Sequence, residues 1–217
     1  MKTILIYGDS LTWGFVPNGF DTKTMVCQRH LKADRWAEQL AALLGEDYQV
    51  IIEGLNGRTT VFDDPLLPGR NGLTYLLPCL LSHHPIDLVM IMLGSNDLKR
   101  HLSLEARDVA FGMRNLICQI KLANVGPNGT VPKILIICPP VIQGGVGVFA
   151  ASFMGAENKS HDLPENYRLI SELEDCGFFD SNHVIHSSHL DGVHLDKVQN
   201  TRLAKALLPT INTLLNS

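Results

Sequence analysis

The run Ile4-Leu5-Ile6-Tyr7-Gly8-Asp9-Ser10-Leu11-Thr12-Trp13-Gly14 reads as a buried strand that breaks into a sharp turn. Unbroken apolar residues mark a strand covered on both faces, whereas a half-exposed strand alternates. Gly8, Asp9 and Ser10 then end the strand and leave a hydroxyl at its carboxyl end, the edge where open α/β sheets bind ligands. Asp and Ser after a strand are also ordinary turn and helix-cap residues. The serine therefore needs a base and an oxyanion site elsewhere in the chain before it reads as a nucleophile.

Similar apolar runs recur outward from this one, at Gln49–Ile52, Leu88–Leu93 and Ile134–Cys138, with a weaker one at Phe178–Phe179, and the first strand itself covers Thr3–Tyr7. Helical patterns lie between them. Trp36, Leu40, Leu43 and Leu44 share one helix face, as do Val109, Met113, Leu116, Ile117 and Ile120. A last helix is expected after Asp196, which with Gln199 has capping-box spacing, and Pro209 is expected to kink or divide it. Strand–helix alternation from end to end predicts a three-layer α/β/α domain with a parallel sheet of about five strands, spanning 1-217 as one unit.

The uncharged run from Ile134 to Ala156 is long enough to cross a bilayer, but Pro139, Pro140, Gly144, Gly145 and Gly147 argue for a strand followed by a long apolar loop. A net charge of −4 without a long basic run excludes nucleic acid and anionic membranes as natural partners and favours a small substrate. The cysteines at 27, 79, 118, 138 and 176 are odd in number and widely scattered. Reduced thiols in a cytoplasmic protein are the expectation, since the N-terminus also lacks the apolar core of a signal peptide.

Acyl chemistry by a serine needs a histidine to take its proton and a carboxylate to orient that histidine. Asp191-Gly192-Val193-His194 offers both just before the last helix, at a spacing that lets Asp191 reach Nδ1 of His194 and leaves Nε2 for Ser10. Two loops that follow strands offer oxyanion donors. Glu53-Gly54-Leu55-Asn56-Gly57-Arg58-Thr59-Thr60 carries glycines whose backbone can approach a substrate closely, and Gly94-Ser95-Asn96-Asp97 carries a neutral amide donor. Each is a plausible turn taken singly, and the coincidence of all four carries the reading.

With these four blocks in this order, the chain resembles the SGNH hydrolases, also called the GDSL esterase and lipase family, and within it the bacterial arylesterase and acyltransferase branch. The resemblance implies a flavodoxin-like α/β/α fold and a serine esterase acting on small or aryl esters through an acyl-enzyme, with acyl transfer to alcohols as a further outcome. It implies Ser10 as nucleophile, His194 as general base then acid, and Asp191 as the orienting carboxylate. The oxyanion donors it implies are the N–H groups of Ser10 and Gly57 and the side chain of Asn96. The second block departs from the family's commoner form, which leaves Gly54 beside Gly57 as a possible donor. No cofactor is implied. A carbohydrate deacetylase or thioesterase using the same triad is the alternative. The α/β-hydrolase elbow is set aside because Thr12 stands where its second glycine belongs.

Several further residues carry expectations. Leu11 and Trp13, beside the nucleophile, and Val141 and Ile142, in the loop from Pro139 to Gly155, are expected to line the substrate pocket. That loop is also expected to bury itself against another subunit of a homo-oligomer. Asp9 and Asp97 are expected to hold turns, with Arg58 pairing one of them. His183, His186 and His189 precede His194 closely, but no second ligand cluster matches them and no metal is expected there.

Overall fold

The computed structural model describes residues 1–144 and 146–216, so Gly145, one of the expected breakers, lies outside the described residues. Five strands, β1 (Lys2–Gly8), β4 (Tyr48–Gly54), β5 (Leu88–Met92), β6 (Lys133–Cys138) and β7 (Gly177–Asp180), form a parallel sheet in the order β4-β1-β5-β6-β7. The strand that carries the opening motif is thus flanked on both sides, with Gly8 opposite Gly54 on one neighbour and Met92 on the other.

The period of two along each buried strand divides the core. Leu5, Tyr7, Val89, Ile91, Ile134 and Ile136 face α3 (Gly72–His83), α4 (Ala106–Ala123) and α5 (Ala156–Leu173). Ile4, Ile6, Leu88, Met90, Leu135 and Ile137 face α2 (Trp36–Leu44) and α6 (Lys197–Asn216). This is the three-layer α/β/α arrangement that the alternation predicts. Among the described residues no helix is long and apolar enough to cross a membrane.

Three features differ from expectation. Helix α6 continues through Pro209 rather than dividing there, with Leu207 and Ile211 on either side of it both fully buried. The capping box at its start is half made: Asp196 accepts from the Gln199 N–H at 2.9 Å, but the Gln199 side chain turns to His186 at 3.0 Å. A short antiparallel pair, β2 (Phe15–Asp21) and β3 (Val26–Arg29), follows the turn at Ser10 directly, and Phe15, Phe20 and Cys27 of this pair line the same cavity as Ser10.

Candidate active site

Ser10 opens α1 (Ser10–Trp13), a single turn capped by Asp9, whose carboxylate accepts from the Leu11 N–H at 2.9 Å. Glycine is required just before it: a Cβ at Gly8 would lie 2.1 Å from Thr12 Oγ1. The turn closes on Gly14 in the left-handed region at φ 92°.

The Ser10 hydroxyl lies 2.9 Å from His194 Nε2, and His194 Nδ1 lies 2.7 Å from Asp191 Oδ2. All three side chains are nearly excluded from solvent. Asp191 Oδ1 accepts from the N–H groups of Val193 and His194 at 3.0 Å each, and Oδ2 also accepts from the Asn18 N–H at 3.1 Å. Burial alone would raise this carboxyl, but the imidazole partner and the two backbone donors outweigh it and hold its pKa below the usual value. Gly192 is locked between them at φ 76°, where a Cβ would strike the Gly144 carbonyl at 2.2 Å.

The imidazole is also held by two rings: Phe149, within the loop expected to line the pocket, and Phe15, which sequence reasoning missed. Phe15 stacks on His194 with centroids 4.0 Å apart and planes 16° apart, and Phe149 meets it edge-on at 5.3 Å. Phe15 begins the unforeseen β2. Its signal was the segment Phe15-Val16-Pro17-Asn18-Gly19-Phe20, where Asn-Gly reads as a hairpin turn. Here it forms an irregularity inside the strand, with Asn18 at φ 58°, and the reversal falls between Asp21 and Val26.

The two glycines of the second block have different surroundings. Gly54 ends β4, where a Cβ would lie 2.4 Å from the Trp13 nitrogen, so its bareness serves the packing of α1 on the sheet. Gly57, at φ 81°, faces the cavity beside Ser10 and Asn96. The buried Asn96 amide donates to Asp9 Oδ2 at 3.2 Å and to the Arg58 carbonyl at 3.1 Å. Both of its protons therefore have partners, at the long end of the hydrogen-bond range, and an oxyanion would take one over. Asp97 holds the second block in place by accepting from the Thr60 N–H at 2.9 Å. Burial raises both carboxyls, Asp9 to about 7 and Asp97 to about 6. Arg58 pairs with neither. It donates to the carbonyls of Gly8 and Glu53 and lies 4.1 Å over the Tyr7 ring, so its direct partners are strand-end carbonyls, while its charge acts on Asp9 only from a distance.

Ser10 and His194 open into a cavity of about 440 Å³. Its lining mixes apolar side chains, among them Phe15, Phe20, Met25, Leu66, Leu67, Phe149, Phe153 and Val193, with the polar Asn56, Asp64, Arg70, Lys99, His101 and Ser152. Asp64 is buried but bonded at 2.9 Å to both Lys99 and His101, and these partners overcome the burial and lower its pKa to about 2. The four expected lining residues are elsewhere. Leu11 points into the α2 and α6 core, Trp13 lies under the Arg29 guanidinium, Val141 is bonded to Asn182 and Ser187, and Ile142 is buried on the α5 side. A one-turn helix sends positions 10 and 11 in different directions, and the loop after β6 dives into the core before Phe149 and Phe153 return to the cavity.

The histidine-rich segment does not gather. His186 bonds the Ser187 carbonyl and Gln199, its ring lies 5.9 Å from that of His189, and His194 belongs to Asp191 and Ser10.

The family described as GDSL-like lipase/acylhydrolase matches residues 6–198. Among solved structures, the chain is 38% identical to an aryl esterase of M. smegmatis in its inhibitor-bound form, with 99% of this chain and 100% of that one covered and a TM-score of 0.92. It is 35% identical to a carbohydrate acetylesterase from Sinorhizobium meliloti over the same shares, again with a TM-score of 0.92. No match was found among the curated proteins.

Proposed function

The chain belongs to the GDSL-like lipase/acylhydrolase family and is a carboxylic ester hydrolase, and on that premise we propose that Ser10, His194 and Asp191 carry its chemistry on small or aryl esters. The observation that bears most weight is the continuous hydrogen-bonded path from Ser10 Oγ through His194 to Asp191, at 2.9 and 2.7 Å, on the wall of a cavity. Ser10 attacks the ester carbonyl as its proton passes to His194 Nε2. The tetrahedral oxyanion takes hydrogen bonds from the N–H groups of Ser10 and Gly57 and from Asn96 Nδ2. His194 returns the proton to the departing alcohol, and then activates the water that frees the acyl group from Ser10.

The phenylalanine rings in the lining, Phe15, Phe20, Phe149 and Phe153, favour aryl groups, in keeping with the likeness to the aryl esterase. The second reading, a deacetylase of carbohydrate acetates, draws on the polar part of the lining, where Lys99 and His101 stand ready to meet hydroxyl oxygens. An alcohol that competes with water in this apolar setting would make the enzyme an acyltransferase. Met25, Leu66 and Met154 are 71%, 68% and 56% exposed around the loops that frame the cavity, which supports a homo-oligomer that covers them. All five thiols are free, which favours the cytoplasm.

Covalent labelling by an organophosphate tests the core of this proposal. The wild-type protein gains one adduct at Ser10 and loses p-nitrophenyl acetate hydrolysis, and Ser10→Ala loses several orders of magnitude in kcat. Undiminished hydrolysis by Ser10→Ala overturns the assignment. Light scattering at micromolar concentration decides the oligomer, a monomer counting against it.

A further inference from the structure

Glu53, Cys79 and His83 lie outside the esterase machinery, on the α3 side of the sheet. Glu53 is in β4, next to its last residue; Cys79 and His83 are one turn apart on α3 and project from the same face. A carboxylate oxygen, the thiol sulfur and an imidazole nitrogen of these residues all lie within 4.8 Å of one another. His83 Nε2 is already 3.2 Å from Glu53 Oε1. One turn earlier on α3, the Tyr75 hydroxyl donates to Glu53 Oε2 at 3.4 Å. Cys79 is buried, whereas the side chains of Glu53 and His83 are 24% and 30% exposed, so the cluster is open to solvent on one side.

We propose that Glu53, Cys79 and His83 form a binding site for a borderline divalent cation, zinc foremost, with water completing the coordination. The donor set carries the choice of ion. Thiolate and imidazole select zinc over magnesium or calcium, which prefer all-oxygen shells. Three protein donors with an open fourth position are a familiar zinc arrangement, and here they come from one strand and one helix that packing keeps rigid. On binding, the ion enters between His83 Nε2 and Glu53 Oε1, a sulfur–metal bond forms, and the Cys79 thiol proton leaves to solvent. Affinity therefore rises with pH. Tyr75 stays hydrogen-bonded to Glu53 and orients it from outside the shell.

The other groups facing the cluster set limits on its strength. Burial, with Glu53 adding, pushes the Cys79 thiol up to about 12, so the ion must displace a tightly held proton. Arg58 opposes a dication: its guanidinium lies 4.1 Å from the Tyr7 ring and 5.5 Å from the Tyr75 ring and acts electrostatically on Cys79. Binding is accordingly weaker than at a four-ligand structural zinc.

Cobalt titration of the full chain, stripped with chelator beforehand, gives a readout independent of ester hydrolysis. One equivalent is expected to produce a thiolate-to-cobalt charge-transfer band together with the intense visible bands of a four-coordinate ion, and zinc should abolish both. Cys79→Ser should lose the charge-transfer band, while Cys27→Ser and Cys118→Ser keep it. His83→Gln and Glu53→Gln, at partly exposed positions, should each weaken cobalt binding roughly tenfold or more. They carry the test if Cys79→Ser does not fold. The proposal is overturned by the absence of a charge-transfer band, by its survival in Cys79→Ser, or by wild-type affinity in both His83→Gln and Glu53→Gln.

Discussion

His194 is restrained on every side that matters to a proton shuttle. Asp191 fixes Nδ1, Ser10 meets Nε2, and Phe15 covers one ring face at 4.0 Å. Asp191→Asn keeps the volume but presents an amide that favours the wrong tautomer, so kcat for p-nitrophenyl acetate should fall on the order of 10⁴-fold with the fold intact by circular dichroism. Phe15→Ala removes the stacking partner and lets the ring tilt. A loss of roughly a hundredfold in kcat is expected, the scale that small misplacements of a catalytic group produce. Gly57→Ala places a Cβ 3.0 Å from Leu67 at a φ of 81°, and should cost about 1–2 kcal/mol of stability as well as activity. At this scale the sequence was readable where a residue's partner lay within a few positions, as in Asp191 with His194 or Asp9 with Leu11. Phe15 and Phe149 reach His194 from distant segments, and no local pattern announces that. Arg58 misled for the opposite reason: its charge suggested an ion pair, while its actual partners are backbone carbonyls.

At the level of elements, the strands of the sheet were legible because a parallel strand buried on both faces leaves an uninterrupted apolar run. Helix α3 was not, since Leu73, Leu76, Leu77, Leu80 and Leu81 crowd it without a clean polar face and Pro78 sits inside it. In α5 the apolar stripe of Leu163, Tyr167 and Ile170 is thin and is interrupted by Pro164. The β2–β3 pair escaped because its turn-like dipeptide lies within a strand. The nucleophile turn itself depends on close packing of β1 against α1. Gly8→Ala forces a Cβ to within 2.1 Å of Thr12 Oγ1 and 3.1 Å of the Met92 carbonyl, and should lower stability by about 1–3 kcal/mol or more, read as a reduced urea midpoint at unchanged slope.

For the molecule as a whole, buried carboxyls of opposite tendency shape the pH dependence of stability. Asp9 and Asp97 titrate at about 7 and about 6, above their unfolded values. Between about pH 4 and 7 the native state therefore holds protons that the unfolded chain has released, and stability falls as pH rises through that window. Asp64 and Asp191 are held below their unfolded values, so their contribution is present above about pH 4 and is lost as pH falls toward 2. The two trends place the stability maximum on the acid side of neutrality. Urea unfolding across a pH series should show this, and Asp97→Asn should flatten the decline between about pH 4 and 7, because its amide oxygen still accepts from Thr60 without a charge to bury. A wild-type curve that climbs over that range contradicts the placement of these carboxyls.

The pairing of Ser10 with His194 joins residues 184 positions apart, across a sheet whose nucleophile strand sits between two neighbours. During synthesis Ser10, its turn and the loops of Gly57 and Asn96 emerge long before Asp191 and His194. A nascent chain that has not yet reached Asp191 lacks both the group proposed to receive the Ser10 proton and the helix α6 that covers one face of the sheet. On the proposed roles, ester hydrolysis is thus a built-in reporter of completed folding: its recovery after dilution from denaturant should come no earlier than the docking of the final segment, which circular dichroism followed in parallel would time against the rest of the chain.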